Sequence, residues 1–470
     1  MANSPRWLQR IPDLHGVRAT VMGLGTFGGG VGATRFLVQR GADVTVTDLR
    51  PADELADSLK QLQGLAPAAV HLGGHQAADF ERADIVVVSP AVPPDNRYLQ
   101  LATATGALLT SEINLFCLEC PACVIGVTGS SGKSTTAALI HGLLQASGRN
   151  SWLGGNIGES LLPRLDEITA DDLVVLELSS FQLEQLNAIC WSPGIAVVTN
   201  FTPNHLDRHG TLATYEHAKQ TILRWQQVDD VAILNADDEQ VVAWPAQGRV
   251  IRFGASVAEG DRVQIRGDDL DLRLQDLSSA VSCQDSPLPG AHNRENLAAA
   301  VAAVIAATGE TRSALLEAGL GQFRGLPHRL QAVGAAAGRM FVNDSKSTTP
   351  EATVAALEAF RRPVMLIAGG ADKGVDLAPL AREIATRAKG VALIGAVGPE
   401  LGRLLAEEQS GNLLRHVATS LEDAVRWSFD ASDEGDVILL SPGCASFGWF
   451  GSYVARGREF VQLVERLRGR

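Results

Sequence analysis

A chain of 470 residues, 46% hydrophobic and 20% charged, can bury substantial cores and on a soft prior of roughly 150 residues per domain holds two to four domains. Its net charge of −13 argues against a protein built to hold a nucleic-acid backbone. No apolar run is long enough to cross a bilayer, and the segment MANSPRWLQRIPDLHG lacks the apolar core of a signal peptide, so no membrane insertion and a cytoplasmic location are expected.

The first segment alternates strand and helix. GVRATVMGLG reads as a strand entering a glycine turn, VGATRFLVQRG as a helix closed by Gly41, and ADVTVTDLR as the next strand. ADIVVVSPAVP repeats the theme. This is a parallel, doubly wound pattern. The turn Gly23-Leu24-Gly25-Thr26-Phe27-Gly28, with Asp48 ending the following strand, matches the dinucleotide fingerprint. Such glycines let the backbone approach a pyrophosphate at a helix N-terminus, and the acid receives a ribose hydroxyl. A UDP-linked substrate satisfies this geometry as well as a nicotinamide cofactor does, and a tight turn without a ligand is the bland alternative. An NAD-dependent oxidoreductase leaves the second segment unexplained.

Cys117, Cys120 and Cys123 form a C-x-x-C-x-x-C run that leads into the strand CVIGVTG. A metal site there needs a fourth ligand, and Cys190, Cys283 and Cys444 are distant in sequence. Ordinary small thiols are expected instead.

The second segment opens with CVIGVTGSSGKSTT, a strand, a turn and a helix start. In the turn Gly129-Ser130-Ser131-Gly132-Lys133-Ser134-Thr135, backbone amides cradle phosphates, Lys133 supplies a point charge and the Ser134 hydroxyl can bind Mg²⁺. Val127 stands where the strict phosphate-loop pattern has its first glycine. The strands DLVVLELSS, GIAVVTN and VAILNADD follow. Glu177, at the end of LVVLEL, sits where a parallel sheet meets its ligand and can hold a metal. Asn200 to Arg208 concentrates polar residues beyond a strand end, and His205 reads equally as a ligand or as an ordinary histidine. Lys219 in YEHAKQ reads as a plain helical surface lysine. Residues 245–290 read as a small antiparallel insertion, and RENLAAAVAAVIAAT as a helix.

The third segment holds the strands MFVNDS, PVMLIAGG, GVALIG and DVILLSPG. Asn343 to Thr348 forms a dense polar cluster, and His328 and Arg329 sit at a candidate hinge. Lys373, in the turn Gly369 to Gly374, is an anion receiver or a solvated surface lysine.

Taken together, TGSSGKST, GGNIG, LELSSFQLE, NHLDRH, GAHNRENLAAA, GLPHR, NDSKST, GGADKG and LSPGCASF resemble the Mur ligases in that family's order along nearly the whole chain. LELSSFQLE and LSPGCASF resemble the branch that adds glutamate. The resemblance implies three α/β domains: a Rossmann-like UDP-substrate domain at 1–115, a phosphate-loop ATPase domain with a mostly parallel sheet at 116–323, and a Rossmann-like glutamate domain at 324–470. It implies a monomer that uses ATP and two Mg²⁺ ions to join D-glutamate to UDP-N-acetylmuramoyl-L-alanine.

Residue by residue, it implies that Lys133 and Ser134 bind phosphate and magnesium, with Glu177 and His205 as metal ligands. Lys219 matches the family's carbamylated lysine, which overturns its plain reading. Asn293, Asn296, Arg329, Asp344 and Lys346 would reach ATP. Gly25, Thr26, Phe27, Asp48, Arg50 and Asn156 would hold the UDP-linked substrate. Thr348, Lys373, Ser446 and Tyr453 would grip glutamate. Ser131 and Tyr453 depart from the family's usual Asn and Phe, and Thr349-Pro350 follows NDSKST where Asn is familiar.

Overall fold

The structure, a computed structural model, describes residues 14–468 except 26–27, 91, 94, 158–159, 276, 287, 289, 324, 373–374, 409–412 and 447. Thr26, Phe27 and Lys373, expected at ligand sites, lie outside the described residues. The chain forms two compact units, residues 1–285 with 295–320, and residues 286–294 with 321–470.

The first unit contains two sheets. In the first, β1 (Arg18–Met22), β2 (Asp43–Asp48), β3 (Ala69–Leu72), β4 (Ile85–Val88) and β5 (Leu108–Thr110) are all parallel in the order β3-β2-β1-β4-β5. The strand order reverses between β1 and β4, which places the glycine turn after β1 at the ligand edge. The helix Gly29–Gln39 follows, and Gly41 just beyond it takes φ 86°, as expected of a helix stop.

The second sheet runs β14-β13-β12-β11-β10-β9-β6-β8-β7. Its parallel part comprises β6 (Cys123–Thr128), β7 (Ser151–Gly155), β8 (Leu173–Glu177), β9 (Ile195–Val198), β10 (Val231–Asn235), β11 (Arg249–Gly254) and β12 (Arg262–Arg266). Strands β13 (Asp269–Leu274) and β14 (Leu277–Ser282) add an antiparallel meander. The antiparallel piece expected across 245–290 is thus narrower and continues the main sheet. β8 is buried at every position, because helices cover both faces of a parallel sheet. The helix Ala291–Thr308 is alanine-rich on all sides, and residues 297–304 are completely buried.

The second unit carries one sheet in the order β15-β16-β20-β17-β18-β19. Its strands are β15 (Gln331–Ala336), β16 (Arg339–Asn343), β17 (Val364–Gly369), β18 (Gly390–Ile394), β19 (Leu414–Val417) and β20 (Val437–Leu440). Only β15 is antiparallel to its neighbour. Strands β17, β18 and β20 are buried along their whole length and form the core of this unit. Cys117 is buried, Cys120 is half-buried and Cys123 is exposed at the start of β6, and among the described residues no group of three or more His, Cys, Asp or Glu side chains is placed to hold a metal ion.

Candidate active site

The parallel pairing of β6 with β8 and β9 sets three carboxyl ends side by side. Val127 is level with Glu177, and Thr128 with Val198. The phosphate-loop turn, Glu177 and the segment from Thr199 to His205 therefore converge on one edge although they are far apart in sequence.

The turn is framed by the segment that follows β9. The Ser130 amide donates to the Asn200 carbonyl at 3.0 Å, and the Ser131 amide donates to Asn200 Oδ1 at 2.9 Å. Thr199 Oγ1 donates to the Ser131 carbonyl at 2.6 Å, and Ser130 Oγ to the Thr202 carbonyl at 2.8 Å. Gly132 takes φ 79° at the cap of the helix Lys133–Ala146, and a Cβ there would collide with Asn296 Oδ1. Asn296 Oδ1 also accepts from Thr136 Oγ1 at 3.1 Å, which brings that expected nucleotide residue against the turn. Lys133 Nζ folds back to donate to the carbonyls of Gly129 and Ser130, each at 3.0 Å.

Two buried oxygens here have no hydrogen-bond partner among the described residues: Ser134 Oγ and Glu177 Oε2. Buried polar atoms are normally satisfied. A hydroxyl and a carboxylate oxygen are hard donors suited to Mg²⁺, so these residues fit such an ion. The other oxygen, Glu177 Oε1, accepts from Asn156 Nδ2 at 3.0 Å, and the Asn156 amide donates to the Glu177 carbonyl at 2.8 Å.

Lys219 is not a surface residue. It is 1% exposed on the helix Leu212–Arg224, whose buried face also holds Tyr215, Ala218 and Ile222. That spacing is the inward face of a 3.6-residue period, a signal the sequence reading passed over. Lys219 Nζ donates to the Gly129 carbonyl at 2.6 Å and lies 4.9 Å from the Tyr215 ring centre. Burial, and then the Lys133 charge, push its pKa well below that of an ordinary lysine, with Glu177 opposing. His205 is exposed at the head of the one-turn helix Leu206–His209, with φ 52° and its ring centre 5.2 Å from that of Phe181.

In the first sheet, Asp48 accepts from the Gly25 amide at 3.0 Å and from the Arg50 amide at 2.9 Å. Burial opposes its charge, but these donors and the Arg50 guanidinium hold its pKa below the usual carboxylate range. Asp48 thus braces the glycine turn.

The second unit gathers its own set. Asp344, just past β16, accepts from the Leu330 amide at 3.0 Å and from Ser441 Oγ at 2.7 Å. Burial pushes its pKa up to about 6 against these donors and the Arg329 charge. Asn293 is buried on its helix, and the Lys346 amide donates to the His328 carbonyl at 2.9 Å. Thr348, Asp372, Val375 and Cys444 line a small recess. Ser446 is buried and its carbonyl accepts from the Phe450 amide at 3.1 Å; neither it nor Tyr453 lines that recess. Sequence reasoning missed Arg456, 1% exposed, which donates to Ser345 Oγ at 3.0 Å, to the Ser345 carbonyl at 2.9 Å and to the Cys444 carbonyl at 3.3 Å. Burial lowers its pKa to about 10.

Three family models match the chain: a Mur ligase MurD-like N-terminal domain at residues 17–111, a Mur ligase middle domain at 127–304, and a Mur ligase glutamate ligase domain at 328–444. A UDP-N-acetylmuramoylalanine–D-glutamate ligase of Roseiflexus sp. (strain RS-1) is 43% identical over 468 residues, covering 96% of this chain and 99% of the relative. An enzyme of the same name from Symbiobacterium thermophilum is 39% identical, covering 96% and 98%. Among solved structures, the UDP-N-acetylmuramate-alanine ligase MurC of Thermotoga maritima aligns with a TM-score of 0.61 at 19% identity, covering 96% of this chain and 99% of that one. MurF of Acinetobacter baumannii aligns at 0.60 and 17%, covering 97% and 94%. Likeness at that identity concerns the fold alone.

Proposed function

The chain belongs to the Mur ligase family, and we propose that it joins D-glutamate to UDP-N-acetylmuramoyl-L-alanine, converting ATP to ADP and phosphate, in peptidoglycan precursor synthesis. The observation that carries the ligase reading is the pair of buried oxygens, Ser134 Oγ and Glu177 Oε2, that have no protein partner among the described residues at the edge holding the phosphate-loop turn. The substrate reading is supported by full-length relatives at 36–43% identity that bear the D-glutamate ligase name.

The reaction begins with phosphoryl transfer from ATP to the substrate carboxylate, giving an acyl phosphate. The amine of glutamate then attacks the acyl carbon, and phosphate leaves from a tetrahedral intermediate. Two anions must approach each other, so cations are needed at each stage. Backbone amides where the turn Gly129 to Thr135 enters its helix hold the phosphates, while those of Ser130 and Ser131 stay on Asn200. Lys133 exchanges its two carbonyl contacts for phosphate oxygens. Magnesium, when bound, offsets the repulsion between carboxylate and γ-phosphate; Ser134, Glu177, His205 and Lys219 would hold it, as two ions. The depressed pKa of Lys219 supports its modification. A neutral amine takes up CO₂ and loses a proton, and the carbamate formed turns a buried neutral amine into an anionic ligand.

In the same reading Asn293, Asn296, Arg329, Asp344 and Lys346 serve ATP. Gly25, Thr26, Phe27, Asp48, Arg50 and Asn156 serve the UDP-linked substrate, and Thr348, Lys373, Ser446 and Tyr453 serve glutamate. We take the domains as 1–115, 116–323 and 324–470, and the protein as a cytoplasmic monomer. No helix among the described residues is long and apolar enough to cross a membrane.

The test is phosphate release by the purified protein with ATP, Mg²⁺ and UDP-N-acetylmuramoyl-L-alanine. Turnover is expected with D-glutamate and not with L-glutamate. Turnover with L-glutamate alone overturns the specificity, and none with either overturns the assignment.

A further inference from the structure

His209 is an enclosed polar side chain beside the site that the reading above leaves without a task. Its side chain is completely buried. Nε2 lies 2.9 Å from Ser180 Oγ. Nδ1 lies 3.2 Å from Glu184 Oε1, near enough for a charge contact though not aligned as a hydrogen bond. The ring stacks on Phe181, with centres 5.3 Å and planes 17° apart, and Tyr215 stands 5.2 Å away.

These neighbours come from separate elements. Ser180, Phe181 and Glu184 belong to the helix Ser180–Ala188, which begins just after Glu177. Tyr215 lies one turn before Lys219 on the helix Leu212–Arg224. His209 itself ends the one-turn helix Leu206–His209, and its amide donates to the His205 carbonyl at 2.9 Å. One imidazole thus ties together the three segments that bear Glu177, His205 and Lys219.

His205 requires such a tie. Its φ of 52° is left-handed, a conformation that is strained for a residue other than glycine and persists only where the surroundings impose it. Ser180, His209 and Glu184 also have the order of a nucleophilic triad, but Ser180 is 3% exposed, too enclosed to meet a substrate carbonyl.

We propose that His209 is a positioning residue: by holding Ser180, Phe181 and Tyr215 it locks the backbone of His205 and so sets the direction of the His205 imidazole. This rests on the reading that Ser134, Glu177 and His205 hold divalent cations. Groups that orient metal ligands typically change metal affinity about 10–100-fold when replaced.

The experiment compares the full-length wild type with His209→Phe, His209→Gln and His205→Ala. Mn²⁺ binding is read from the free-ion electron paramagnetic resonance signal, alongside the Mg²⁺ dependence of turnover, KM for D-glutamate and the melting midpoint. His209→Phe keeps the stacking and loses the Ser180 bond, and it is expected to weaken Mn²⁺ binding about tenfold. Its half-saturating Mg²⁺ concentration should rise in parallel while KM for D-glutamate holds. His209→Gln keeps a polar group toward Ser180 and should recover most of the affinity. Wild-type Mn²⁺ binding by His209→Phe, with loss in His205→Ala, sinks the role of His209 alone. Wild-type binding by His205→Ala sinks the cation reading and the proposal with it. A fall in Mn²⁺ affinity that His209→Gln does not recover, with KM for D-glutamate and the melting midpoint moving together, marks a merely structural residue and also overturns it.

Discussion

Lys219 shares the inward face of its helix with Tyr215, Ala218 and Ile222. An ammonium there would lie near the Lys133 charge and away from water, so the neutral amine is favoured. If its carbamate completes a cation site, Lys219→Ala should lower turnover at least 10²–10³-fold, roughly the effect of deleting a group that stabilises transition-state charge. A short-chain carboxylic acid in the buffer should restore part of that loss by occupying the space left behind. Phosphate release with and without the acid is the check, and wild-type turnover in the variant would sink the carbamate. At this scale, Lys133, Ser134 and Glu177 were legible because each sits at a strand end or inside a glycine turn, both of which are local patterns. Asn200, Thr199 and Arg456 were not. Their tasks, clamping the turn and joining Ser345 to Cys444, depend on residues well separated in sequence.

A tight constraint on an element lies at the passage from β7 to the loop that carries Asn156. Gly155 has φ 90°, and a Cβ there would overlap the Glu177 carbonyl. Gly155→Ala must therefore strain the backbone and displace either β7 or the Glu177 strand end, at a cost of about 1–3 kcal/mol. The melting midpoint should fall. Turnover per folded molecule should fall further, because Glu177 moves with the carbonyl it carries. Unchanged turnover in the folded variant would mean that β7 yields instead. The neighbouring helix Ser180–Ala188 opens with a capping box in which Ser179 Oγ accepts from the Gln182 amide at 3.3 Å and Gln182 Oε1 accepts from the Ser179 amide at 3.0 Å. The strands expected from the sequence are present at this scale. The span of the antiparallel piece was misjudged, because β11 is polar enough to read as insertion while its backbone still pairs in parallel with β10.

At the scale of the molecule, two carboxyls bias stability toward acid pH. Burial pushes Glu112 up to about 7 against its hydrogen bond from Ser160, and Asp344 up to about 6. Glu112 as a residue is only partly buried, so its carboxyl is more enclosed than its whole surface suggests. The folded chain keeps these protons where the unfolded chain releases them. Their contribution is full below about pH 4 and is lost as pH rises through about 6 and 7. Carboxylates held low, such as Asp48, act in the opposite sense, so the difference between wild type and Glu112→Gln isolates the Glu112 share. The variant should gain about 1–3 kcal/mol on wild type between pH 5 and pH 8, read from urea midpoints at the two pH values. Parallel pH curves would show that water reaches the carboxyl.

The sequence by itself determined the fold class, the order of glycine turns and strands, and the family. All of these rest on short-range periodicity and motif spacing, which a linear chain displays. Only the tertiary structure decided that Lys219 is buried over Tyr215, that Asn156 holds Glu177, and that His209 joins three segments. Those contacts exist because β8, β6 and β9 lie side by side in an order that differs from their order along the chain, and no local pattern encodes that adjacency.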